Sequence, residues 1–195
     1  MCLDESVPRR RRRPPSGFTL AEMLWVLVLV GILTSIAAPS FNPGRWRADS
    51  AVQEVMISLN AAQRLAVMRQ HDVVVTFLVA DGQMRVHRDA DNDGTVDEGE
   101  DTRIVELPET IAFSRGSVPP VNGILDDVSF ASSDGRPTLV FHRNGSASES
   151  GMAYLRPIRG SMSFDREGAR AVTVERATGE TRCLSYRTGS WETSC

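Results

Sequence analysis

An apolar run standing directly behind a basic start constrains this chain more than any other feature. Residues 1–17 are short and polar, with Arg9 to Arg13 consecutive and Pro14 and Pro15 behind them. Phe18–Ala38 then carries one charge, Glu22, in 21 residues, which as a helix would reach about 31 Å. The hydrocarbon layer of a bilayer is about 30 Å thick. The pattern predicts one transmembrane helix over residues 18–39, with the arginines held on the cytoplasmic side and everything after Pro39 across the membrane. A cleaved secretory signal is the alternative, since Ser35-Ile36-Ala37-Ala38 offers small residues at its end. The run is longer than a signal core of about 7–15 residues, and a carboxylate near the start gains nothing in a disposable segment.

Glu22 has two compatible readings. Thr19-Leu20-Ala21-Glu22 fits the S/T-x-x-E capping box, which satisfies free N–H groups where a helix begins. An ionisable group inside an apolar span is also costly unless paired, and so marks a functional contact. Further on, Pro39, Pro43 and Gly44 interrupt the helical pattern, because a residue before proline is pushed out of helical geometry. Helical periodicity returns with Val52, Val55, Met56, Leu59, Ala62 and Ala66 on one face, a stripe suited to packing against a sheet. The predicted amphipathic helix occupies 40–71.

From Val73 the chain reads as short β-rich runs, Ser161–Phe164 and Val128–Ala131 among them, many separated by turn signals such as Asp81-Gly82, Asp134-Gly135, Asn144-Gly145 and Thr178-Gly179. The expected fold class is α+β: a long N-terminal, transmembrane helix packed against a C-terminal antiparallel β domain over 72–195. The net charge of the 195 residues is −3. Five Arg and two acids, Asp4 and Glu5, fall in the first 17 residues and give them +3, so residues 18–195 carry −6. A chain this acidic is not a basic nucleic-acid binder over its whole surface. Three Cys exclude a disulfide-dense scaffold. There is no G-x-S-x-G, P-loop or HExxH, and His71, His87 and His142 show no metal-ligand spacing. Nothing in these patterns supports an enzyme.

Ser16-Gly17-Phe18-Thr19-Leu20-Ala21-Glu22-Met23-Leu24 resembles the class III signal of type IV pilins and type II secretion pseudopilins: a basic leader ending in Gly, then Phe, Glu five residues into the mature chain, and an apolar stretch. Asn60–Val75, Val140–Ser146 and Val172–Gly179 are similar to the helix end and the two hairpin signatures of the GspH/FimT-type minor pseudopilins. The resemblance implies a pilin-like fold with residues 1–17 as leader, cut by a prepilin peptidase between Gly17 and Phe18, and N-methylation of Phe18. It implies that Glu22 neutralises the Phe amine of a neighbouring subunit; amine and carboxylate lower each other's cost in lipid by pairing. It also implies a single-pass protein of the bacterial inner membrane with a periplasmic C-terminal domain. Its partners would be other major and minor pseudopilins and the inner-membrane assembly platform. Its role would be structural, in building a pseudopilus for protein export across the outer membrane. The alternative is a FimT-like minor pilin of a type IV pilus that binds DNA for uptake.

Three further sets of residues are candidates. Asp89, Asp91, Asp93, Thr95, Asp97 and Glu100 stand at positions 1, 3, 5, 7, 9 and 12 of a twelve-residue calcium loop, with Gly94 at position 6. Strand-like segments flank it instead of helices, and a metal-free acidic hairpin is the rival reading, so calcium is the one cofactor in question. Cys2 falls in the leader, which leaves Cys183 and Cys195 as a disulfide pair in an oxidising compartment or as two free thiols. In FimT-like pilins a Gly-Arg-x-Arg tail is associated with DNA binding; here Gly179-Glu180-Thr181-Arg182 has an acid in place of the first Arg. On that alternative Arg182 and Arg187 would make the contacts.

Overall fold

The computed structural model describes residues 18–37, 43–91, 99–158 and 168–193. The chain divides into two compact units, Met1–Phe41 and Asn42–Cys195, and each is described by itself.

In the first unit, α1 (Leu20–Ala37) opens on its cap: the Glu22 amide donates to Thr19 Oγ1 at 3.2 Å, the first half of the capping box. Every side chain described from Phe18 to Ser35 is exposed, including Trp25, Leu27 and Leu33. Eighteen residues of helix reach about 27 Å. Among the described residues no helix is long and apolar enough to cross a membrane. Residues 38 and 39, which the expected span includes, lie outside the described residues.

The second unit starts with α2 (Pro43–Arg69). Pro43 and Gly44 sit in its first turn instead of in a break, which proline tolerates because the N–H it lacks would have no helical acceptor there. The stripe from Val52 to Ala66 is buried apart from half-covered Met56, and Ala48 and Ala51 extend it. Among the described residues ten strands follow: β1 (Asp72–Leu78), β2 (Gln83–Asp89), β3 (Thr102–Glu106), β4 (Ile111–Phe113), β5 (Ser132–Ser133), β6 (Arg136–Phe141), β7 (Gly151–Pro157), β8 (Arg170–Val174), β9 (Thr181–Arg187) and β10 (Ser190–Glu192). They form two antiparallel five-stranded sheets, ordered β3-β2-β1-β6-β5 and β10-β9-β8-β7-β4.

Alternation decides which residues meet α2. Val73, Val75 and Phe77 of β1, Met84 of β2, Leu139 and Phe141 of β6, Ala153 and Leu155 of β7, and Val172 and Val174 of β8 share one core with the helix stripe. The opposite face of β7 is also covered. Tyr154, with no exposed surface, and Met152 pack against Ala171, Val121, Ile124 and Trp191. Val128–Ala131, expected as a strand, makes only an isolated bridge from Val128 to Ala153, and the pairing segment is Ser132–Ser133. The expected strand Ser161–Phe164 lies outside the described residues.

Candidate functional site

Among the described residues, three α2 side chains off the apolar stripe make polar links to the second sheet, and one of them also reaches the turn after β6. Asp49, in the second turn, faces Arg170, a guanidinium with no exposed surface; Nε and Nη2 each stand 2.6 Å from Asp49 Oδ1, and Nη1 donates to the Ala169 carbonyl at 2.9 Å. Asn60 Oδ1 accepts from Thr181 Oγ1 at 3.0 Å. Gln63 Nε2 donates to the carbonyls of Gly145 (2.9 Å) and Thr178 (2.6 Å). Those carbonyls belong to two different turns, Asn144-Gly145 after β6 and Thr178-Gly179 between β8 and β9. A Cβ on Gly179 would stand 2.4 Å from the Gly145 oxygen and 2.5 Å from Gln63 Nε2, at a φ of +65°. Glycine is required there both for the left-handed backbone and for the close approach. The sequence marks both turns, but no periodicity shows that they meet, or that Gln63 bridges them.

The acidic loop is partly assembled. Asp89 at the end of β2, Asp91 and Glu100 bring a carboxylate oxygen each within 4.8 Å of the others, positions 1, 3 and 12 of the predicted calcium loop. Asp89 is buried, Glu100 half-buried and Asp91 exposed, and Glu100 Oε1 accepts from the Ala90 amide at 2.6 Å. Asp93, Thr95 and Asp97 lie outside the described residues. Three carboxylates this close repel one another, by about 4 kcal/mol per pair at 4 Å in a medium of effective dielectric about 20, and a bound cation reverses that sign. The arrangement could hold a hard divalent ion, to which each carboxylate offers one or two oxygens.

The histidines do not join this cluster. His142 Nδ1 pairs with Asp72 Oδ2 at 2.8 Å. His87 is buried, with neither ring nitrogen hydrogen-bonded among the described residues.

Arg182 and Trp191 of the tail are engaged within the head, whereas the buried Arg187 Nε has no hydrogen-bond partner among the described residues. Arg182 makes a two-pronged contact to Glu180, Nε to Oε1 and Nη2 to Oε2, both at 3.0 Å. Hydrogen bonding and charge from Arg182 hold the Glu180 carboxyl below the usual carboxylate range. Arg187 is half-buried at the end of β9. Trp191 rests on Tyr154 and Tyr186, with centroids 5.7 and 5.4 Å away, and its Nε1 donates to the Pro119 carbonyl at 2.8 Å. Cys183, on β9, is disulfide-bonded; Cys195 lies outside the described residues. So does Gly17, while Phe18 and Glu22 are placed at the exposed start of α1.

The model of the family described as type II transport protein GspH matches residues 51–179. The chain belongs to the GspH family. Its match takes in Asn60, Gln63, both glycine turns, Arg170 and the acidic cluster, and leaves out α1, Asp49 and the tail beyond Gly179. Two solved structures of the minor pseudopilin EpsH from the type II secretion system of Vibrio cholerae are similar. One is 16% identical, covering 71% of this chain and 97% of that one, with a TM-score of 0.48. The other is 17% identical, covering 75% and 99%, also at 0.48. No curated protein sequence matches the chain.

Proposed function

We propose that this GspH-family chain is a minor pseudopilin, a structural subunit of a type II secretion pseudopilus, anchored in the bacterial inner membrane by its N-terminal helix with its β-rich head in the periplasm. The observation that carries the reading is the family match over residues 51–179, which takes in α2 from its third turn and most of the head. It is supported by an α1 that exposes apolar side chains all round, as a helix does when lipid or neighbouring helices surround it. On this reading a prepilin peptidase removes residues 1–17, Phe18 becomes the methylated N-terminus, and Glu22 pairs with that amine on a neighbouring pseudopilin held by the assembly platform. Cys183 pairs with Cys195, closing the tail. Edman sequencing and incorporation assays test this. Phe18 should be the mature start, and Glu22→Ala should remove the subunit from the pseudopilus while leaving the head folded. A mature chain starting elsewhere, or normal incorporation of that variant, overturns the reading. DNA uptake as a type IV pilus component is less well supported, because Arg182 is engaged by Glu180 and Trp191 is packed within the head.

A second proposal concerns the acidic loop: Asp89, Asp91 and Glu100 contribute to a calcium site. The convergence of loop positions 1, 3 and 12 favours it. Isothermal calorimetry of the full chain in detergent micelles should give calcium heat that Glu100→Gln weakens. No heat at millimolar calcium ends the idea.

A further inference from the structure

Among the described residues, strand β3 ends the first sheet, and all its residues except Val105 are exposed. The Arg88 amide donates to the Asp101 carbonyl at 3.0 Å and the Leu107 amide to that of Gly82 at 2.9 Å. With the register Met84↔Val105 and Val86↔Arg103, these bonds fix the alternation. Arg103 and Val105 turn their backbone groups toward β2. Thr102, Ile104 and Glu106 turn theirs outward, which leaves a row of donors and acceptors open along the edge.

Beside this edge, on the side facing α2, runs a cavity of about 270 Å³ lined by Ser58, Ala61, Ala62 and Leu65 of the helix and by Val86, Arg88 and Arg103 of the strands. Its walls are mainly apolar because the helix presents small residues there. Two of the charges at its rim cancel, Arg88 with Asp101 at 3.1 Å. Arg103 is exposed and has no ion pair among the described residues. A strand laid about 4.8 Å outside β3 would point alternate side chains into this groove.

A second copy paired β3 to β3 is a poor occupant. The residues that β3 itself directs to the α2 side are Arg103, which is charged, and Val105, which is 3% exposed and already in the core. Neither can fill another copy's groove. We propose that the β3 edge takes an extended segment of a partner protein by strand addition. That segment would place an apolar side chain in the groove against Ala61 and Leu65, and an acidic side chain two positions along, against Arg103.

The test uses the full chain in detergent micelles. The probe is a fluorescein-labelled nine-residue peptide with Thr at odd positions and Val, Leu, Asp and Val at even ones. Anisotropy should report binding, and hydrogen exchange at the Ile104 and Glu106 amides should slow on adding it. Ile104→Pro removes an outward N–H without breaking the ladder to β2 and should weaken binding at least about tenfold. Ala61→Trp, which fills the groove from the helix, should do the same should the proline variant fail to fold. Arg103→Glu should prefer the probe with Lys in place of Asp. No binding at millimolar peptide, protection confined to other segments, or unchanged affinity in both the folded proline variant and Ala61→Trp overturns the proposal. So does peptide-free protection of these amides that grows with protein concentration, which would mean a second copy is the occupant.

Discussion

Two glycines with nearly the same φ should respond very differently to alanine. Gly82 has φ +63° with nothing within 4 Å of an added Cβ, whereas Gly179 has φ +65° with the Gly145 oxygen at 2.4 Å and Gln63 Nε2 at 2.5 Å. An L-residue in the left-handed region costs about 1–2 kcal/mol, and both variants incur that. Gly179→Ala must also push the two turns apart. That loses one or both hydrogen bonds from Gln63, each worth about 1 kcal/mol. Gly82→Ala should therefore destabilise the head by about 1–2 kcal/mol and Gly179→Ala by about 2–4 kcal/mol. For a urea slope of about 2 kcal/mol/M, the second midpoint should fall about 0.5–1 M below the first. The assay is urea unfolding of the full chain in micelles, followed by near-ultraviolet circular dichroism from Trp191 and its tyrosines. Gln63→Ala supplies the check: combined with Gly179→Ala, it should cost less than the two separate losses added together, because both act on the same contact. Equal midpoints for the two glycine variants would show that the turns do not meet on Gln63.

Asp49→Ala removes one carboxylate from a guanidinium with no exposed surface, and breaking a buried pair costs about 3–5 kcal/mol. Because the Asp49 side chain is 34% exposed, the expected loss in urea unfolding is about 2–3 kcal/mol; a loss below about 0.5 kcal/mol would mean that the pair is idle. Burial, the largest influence on the Tyr154 hydroxyl, pushes its pKa above its ordinary 10.0. The folded state therefore keeps that proton longer than the unfolded chain, so the contribution is complete below pH 10 and declines as pH rises through the raised value. Tyr154→Phe should flatten the alkaline part of the stability profile, and an unchanged slope would contradict the assignment. Arg182→Ala should let the Glu180 carboxyl rise toward the ordinary carboxylate range, read by NMR titration; no movement would place the cause elsewhere.

Much of the architecture was legible because it follows apolar periodicity. The α2 stripe from Val52 to Ala66 is the buried face of that helix, and the runs around Val73, Thr138 and Thr181 are strands. The polar links were not legible. Asp49 and Gln63 look like solvent-side residues, yet their partners lie 121 and 82 residues away, a distance that no local pattern encodes. Arg170 stands in a β-rich run where a charge normally points outward, and only the fold reveals that its face of β8 meets α2. At the acidic loop, spacing named the residues, and Asp89, Asp91 and Glu100 do converge. Val128–Ala131 has strand composition but makes one bridge, because pairing depends on neighbours as much as on propensity.

The links from α2 to the second sheet have a mechanical consequence. Asp49, Asn60 and Gln63 span fifteen residues of one helix, about 21 Å along its axis from first to last. A pull applied to the start of α2 along that axis would stretch all three anchors side by side, so they must yield together instead of peeling one after another. The head should therefore follow its helix as a stiff handle, transmitting force that would strip a helix held by its apolar stripe alone.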